Sequence, residues 1–110
     1  MTHDLNEKSA SVALAALGNE TRLKLFRLLV KAGEDGLIVG DIQKILNVPL
    51  STLSHHIRTL VQGGLIIQER RGREIMSKVD YTAMHGLIEF LSEECCVGVK
   101  IKAEPMEELV

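Results

Sequence analysis

LSTLSHHIRTLVQ, residues 50–62, runs directly into GGLIIQERRGR, residues 63–73. At about 100° per residue, Leu50, Leu53, Ile57, Leu60 and Val61 of the first run fall in one apolar stripe. Ser51, Thr52, His55, Arg58 and Thr59 take the opposite face, with Ser54 beside them and His56 on the border. That polar face is short, rich in hydrogen-bonding groups and free of acids, the kind of surface that can approach phosphates and base edges. Gly63-Gly64 ends the helix. The period then changes from helical to alternating: residues 65–70 read as a strand, Arg71-Gly72 as a turn, and residues 73–79 as a second strand with Ile75 and Val79 on related positions.

Working outward, residues 39–46 predict a short helix with Ile42, Ile45 and Leu46 inward. Asn47-Val48-Pro49 is a tight turn, with Pro49 suited to a helix start. Residues 20–32 place Leu25, Phe26, Leu29 and Val30 at helical spacing behind an Asn19 cap, and Gly33 and Gly36 bracket a loop. The Ala-rich residues 8–17 form a further helix, and residues 81–96 a last one with Met84, Leu87, Ile88 and Leu91 on one face. Helix, short helix, turn, helix, hairpin is a mainly α winged helix-turn-helix order with a small β-hairpin. Arg70, Arg71 and Arg73 flank Gly72, so the hairpin end is expected to track a nucleic-acid backbone or enter a minor groove.

Net charge counts mildly against a nucleic-acid partner, but its distribution supports one. The chain of 110 residues carries net −2. Residues 37–80 nevertheless hold six basic side chains (Lys44, Arg58, Arg70, Arg71, Arg73 and Lys78) against four acidic ones, net +2, while residues 81–110 are net −4. A basic middle beside an acidic end fits DNA binding. The length suits one domain, taken as residues 1–98, with residues 99–110 as a flexible acidic tail. No apolar run is long enough for a membrane span and residues 1–8 hold no signal-peptide core, so a cytoplasmic protein is expected. Aromatic residues at 3% do not suit stacking on single strands. An enzyme reading finds no Cys-x-x-Cys, no phosphate loop and no βαβ alternation. The acid-free face and arginine-tipped hairpin also count against a winged helix that binds only proteins.

The run from Ser51 to Leu60, then Gly64-Leu65-Ile66 and the Arg-Arg-Gly-Arg hairpin end, resembles the ArsR/SmtB family of winged-helix repressors. So does the upstream run from Leu17 to Leu29. The resemblance covers roughly residues 10–95 and implies a homodimer built from the first and last helices. It also implies an imperfect palindrome of double-stranded operator DNA as partner, and repression relieved by an inducer. Pro49 and Leu50 depart from the family's polar helix start, so the operator sequence does not carry over.

The sequence also bears on the inducer. A common arsenic site of the family has two cysteines at the start of the third helix; residues 37–41 contain none. A common zinc site on the last helix keeps only Asp80, with Thr82 and Glu93 in place of the expected histidines. His85 and Glu89 share a face and suit a surface or interface role better than ligation.

Cys95 and Cys96 remain. Adjacent Cα atoms sit about 3.8 Å apart and unstrained disulfides want roughly 4.4–6.8 Å, so a structural bridge is not expected. Two neighbouring thiolates chelate soft ions, and Glu93 and Glu94 are expected to raise their pKa. Arsenic-responsive relatives with such a pair at the end of the last helix have a third cysteine a few residues on; residues 97–102 have none. Cys95 and Cys96 are therefore expected to bind trivalent arsenic or antimony as inducer, either as a methylarsenite-like ligand suited to two thiolates or as arsenite completed by a small thiol, a hydroxide or the partner chain, with no organic cofactor. Thiol oxidation or persulfide sensing is the alternative, and two cysteines used as small apolar filler the plain one.

Overall fold

A computed structural model describes residues 5–101 of the chain. Its elements run α1 (Glu7–Leu17), α2 (Glu20–Ala32), a 3₁₀ turn (Gly33–Asp35), β1 (Leu37–Ile38), α3 (Val39–Leu46), α4 (Leu50–Gln62), β2 (Ile66–Arg71), β3 (Glu74–Val79) and α5 (Tyr81–Ser92). Local chemistry fixes the boundaries. Asn6 caps α1 in a reciprocal box, its Oδ1 accepting from the Ser9 amide at 2.9 Å while Ser9 Oγ accepts from the Asn6 amide at 3.1 Å. Asn19 Oδ1 accepts from the Arg22 amide at 3.0 Å and Asp80 Oδ1 from the Ala83 amide at 3.1 Å, starting α2 and α5. Asn47, left-handed at φ 55°, closes α3.

The three strands form an antiparallel sheet in the order β1-β3-β2. β2 and β3 are the wing. β1 lies against the other edge of β3 with Leu37 opposite Ser77. Gly36, at φ 65°, makes this approach possible, because a Cβ there would run into the Ser77 carbonyl oxygen.

Leu25, Phe26 and Leu29 of α2, Ile42 of α3, Leu53, Ile57 and Leu60 of α4, Leu65, Ile66 and Val79 around the sheet, and Leu87 of α5 share one core. α1 buries Ala10, Ala13 and Ala16 in it and packs Leu17 partly against it. Tyr81 ties α5 to α2, its hydroxyl donating to the Val30 carbonyl at 3.0 Å.

Several expectations are corrected. Ile45 points outward, 58% exposed, because the short α3 turns only Ile42 fully into the core. On α4 the buried stripe is rotated toward His56, which is buried, while Leu50 and Val61 are exposed. The hairpin turn is Gly72-Arg73, one residue later than expected: Arg71 pairs with Glu74, and Gly72 at φ 64° takes the left-handed turn position. α5 stops at Ser92 rather than at residue 96, and Ile88 and Leu91 on its far end are exposed. Most of the expected tail, residues 102–110, lies outside the described residues. Among the described residues no helix is long and apolar enough to cross a membrane.

Candidate nucleic-acid interface and thiol pair

α3 and α4, joined by the Asn47-Val48-Pro49 turn, are the helix-turn-helix pair, and α4 carries the expected reading face. Ser51, Thr52, Ser54, His55 and Arg58 are exposed on it. Thr59 is half-buried and spends its hydroxyl proton on the His55 carbonyl at 3.0 Å. Pro49 occupies the cap position itself, one residue before the expected first helical position, and no side chain caps α4. The opening amides of α4 are thus left for an anion or water, the usual basis of phosphate contact at a helix start.

The wing does not present its three arginines alike. Arg71 Nη2 is 3.2 Å from Glu69 Oε1, and Lys78 Nζ is 3.4 Å from the same oxygen and 3.8 Å from Glu34. Hydrogen bonds from Arg71 and then Lys78 hold the Glu69 carboxyl below its ordinary pKa, so the charge that offsets them persists. Arg70 folds over the turn, its Nη1 donating to the Gly72 carbonyl at 3.4 Å. Arg73 stands in the turn itself and, with Ser54 and Arg58 of α4, lines a cleft of about 560 Å³ between α3, α4 and the wing. The structure therefore brings Ser54, Arg58 and Arg73 to one concavity, whereas Ser51, Thr52, His55, Arg70 and Arg71 do not line it.

The support behind the reading helix is not legible in the sequence. Arg22 Nε donates to the Ala16 carbonyl at 2.6 Å, and its Nη1 lies 3.4 Å from Nδ1 of His56 on the buried side of α4. Burial, then the Arg22 charge and His55, push the His56 pKa below its usual value. The only hint in the sequence was the border position of His56.

The thiols sit beyond α5. Residues 93–96 form a turn in which Glu94 and Cys96 are left-handed, at φ 63° and 65°. The Cys95 amide donates to the Ser92 carbonyl at 3.1 Å. Both cysteines are free and exposed, with their Sγ atoms 3.1 Å apart. The Cys95 thiol is raised above its ordinary pKa by its hydrogen bond with Cys96 and then by slight desolvation, rather than by the neighbouring glutamates that the sequence suggested. Among the described residues no group of three His, Cys, Asp or Glu side chains is placed to hold a metal ion. Asp80 is occupied as the α5 cap. The pair thus offers two sulfur donors from one chain, which fits a ligand that needs two.

A family model described as a helix-turn-helix domain matches residues 17–69. ArsR of Halobacterium salinarum is 40% identical over 60 residues, covering 54% of this chain and about half (46%) of that protein. The arsenical resistance operon repressor of Bacillus subtilis is 32% identical over 89 residues, covering 81% of this chain and 80% of that protein. The chain belongs to the ArsR family of winged-helix transcription regulators. This ArsR-family chain is also similar in structure to HlyU from Vibrio cholerae, with TM-score 0.63 and 27% identity over 81% of this chain and 97% of that one. The family is one of DNA-binding regulators and not of enzymes, which sets the enzyme reading aside. HlyU is named a transcriptional activator and the Bacillus protein a repressor.

Proposed function

We propose that this ArsR-family chain is a dimeric repressor that leaves its operator when trivalent arsenic or antimony binds Cys95 and Cys96. The observation that carries the reading is the exposed thiol pair, Sγ to Sγ 3.1 Å, three and four residues past Ser92 at the end of α5. The named function of the Bacillus relative supports the arsenical side of it. Val12 of α1 and Ile88 and Leu91 of α5 are large apolar side chains left about half exposed or more (48%, 56% and 60%). They suit a two-fold interface through the first and last helices. Such a dimer presents two α4 helices to successive turns of DNA, roughly 34–36 Å apart. Ser51, Thr52, Ser54, His55, Arg58 and Thr59 serve as groove and phosphate contacts, and Arg70, Arg71 and Arg73 as wing contacts. Drawing the two thiolates onto one metalloid reshapes the turn after α5, beside the interface. A coupling of about 1–3 kcal/mol weakens the DNA complex roughly 5–150-fold.

The experiment is a titration of reduced protein on DNA from upstream of its own gene, with arsenite, methylarsenite or antimonite then added separately. Release that disappears in the Cys95→Ser, Cys96→Ser double variant supports the reading, and a preference for methylarsenite supports two-thiolate ligation. A DNA complex unmoved by all three but dissociated by peroxide overturns the metalloid in favour of thiol oxidation.

A further inference from the structure

We propose that the cleft between α3, α4 and the wing is a second ligand site, built for a small organic monocarboxylate with a hydrocarbon body. Its volume of about 560 Å³ falls within the range of roughly 300–1,000 Å³ usual for small-molecule sites, which are mostly apolar with a few placed polar groups. Val39 of α3, Ile57 and Val61 of α4 and Ile75 of β3 form the apolar wall. Of these, Val39, Val61 and Ile75 remain 37%, 37% and 44% exposed. Large aliphatic side chains gathered from three elements and left wet in a concavity gain free energy when a hydrocarbon covers them. The sugar–phosphate backbone has little to offer such a wall.

The charges at the cleft point to the anion. Glu69 engages Arg71 and Lys78, and Glu34 also reaches Lys78, so those two cations are offset by two carboxylates. Arg58 and Arg73 line the cleft, and among the described residues neither has an acidic partner within ion-pair distance. Glu74 lines it as well. Two guanidinium groups against one carboxylate leave a single net positive charge, which favours a monoanion over a dianion. Arginine also matches a carboxylate with a two-pronged hydrogen-bond geometry. Deeper in, the Ser77 hydroxyl, 2% exposed, accepts from Gln68 Nε2 at 3.4 Å and adds a fixed polar point. Binding at this cleft needs nothing from the thiols. Its consequence for DNA rests on the proposed function above: Arg58 and Arg73 cannot hold a carboxylate and phosphates together, so ligand and operator compete.

The test uses the full chain carrying Cys95→Ser and Cys96→Ser, so that no thiol chemistry intervenes. Octanoate is titrated against the amide spectrum recorded by NMR, with acetate and 1-octanol as controls. Saturable shifts at Ser54, Val61 and Ile75 with octanoate, weaker with either control, are expected. Ile75→Ser, and the isosteric Val39→Thr as a second and milder change, are expected to weaken octanoate by about tenfold or less according to the apolar area removed. Arg58→Gln is expected to abolish the preference of octanoate over octanol. Octanoate that causes no shifts, that shifts only residues outside the cleft, or that binds no better than octanol overturns the site. Octanoate seated in the cleft while the DNA complex stays intact overturns the competition, and with it the assignment of Arg58 and Arg73 to DNA, but not the ligand site.

Discussion

Arg22 of α2 places its Nη1 3.4 Å from Nδ1 of His56, while its Nε is spent on the last turn of α1 at Ala16. One guanidinium thus joins three helices behind the reading surface, and it does so only against a neutral imidazole. The tautomer that accepts at Nδ1 is the one compatible with an arginine donor.

That pairing sets a pH dependence. His56 is held below its ordinary pKa by burial first, then by Arg22 and His55. The unfolded chain takes up this proton near the ordinary value of about 6.5, before the folded one does, so stability falls as pH drops below that point. Thermal unfolding followed from pH 7.5 to 5 is expected to show a declining midpoint. His56→Asn, whose Oδ1 can accept from Arg22, is expected to flatten the decline; equal slopes in both proteins would refute the link.

Gly36→Ala is expected to destabilise the fold by about 2–4 kcal/mol. The position is left-handed and a Cβ meets the Ser77 carbonyl, so both backbone strain and the β1–β3 pairing are affected. Gly33→Ala, also at positive φ but with open space around its Cβ position, isolates the strain alone and is expected to lose clearly less. Denaturant melts of the two variants decide this.

The arginines of α4 and the wing are expected to separate by salt titration of the DNA complex. Arg58→Ala and Arg73→Ala should each lower the slope of log affinity against log salt by about 1. Arg71→Ala should lower it less, because Glu69 already engages that side chain. Glu69→Gln, which releases Arg71 and leaves Lys78 only its longer contact with Glu34, should tighten DNA binding. A Glu69→Gln variant that binds more weakly would show that the ion pairs shape the wing for DNA.

Leu91→Glu on α5 is expected to convert a dimer into monomers in sedimentation velocity and to weaken DNA binding with it, since Leu91 is 60% exposed on the face with Ile88. Leu23→Glu, on α2 and 44% exposed, serves as the matched control and should leave the dimer in place. Dissociation by both changes, or by neither, would place the interface elsewhere.

The helix-turn-helix was legible because its punctuation is local. Asn19 caps α2 as its side chain suggests, and Gly63-Gly64 ends α4. What escaped the sequence depends on distant partners. β1 is two residues long and exists only because β3 lies beside it. Ile45 fits a helical stripe, yet an eight-residue helix meets the core along one narrow line at Ile42. Nothing in Glu93-Glu94-Cys95 breaks a helix outright; α5 ends because its contacts with the core have run out past Leu87 and the partly packed Phe90. For the site, the residue types on α4 and the wing were legible, but their division was not. Which arginine is offset depends on Glu69, and Glu69 faces Met76 across the sheet while reaching Lys78 and Arg71 on either side.

From Leu91 to Ile101 every residue is exposed, and the cysteines lie in this stretch, past the last buried side chain of α5. Substitutions there do not draw on the core's packing. Natural selection can therefore rewrite the segment after α5, adding, losing or exchanging thiols, while α4 and the wing keep both their sequence and their stability. If the thiols sense and α4 reads, as proposed above, a change of stimulus is a short mutational step, and a change of DNA target is a separate one.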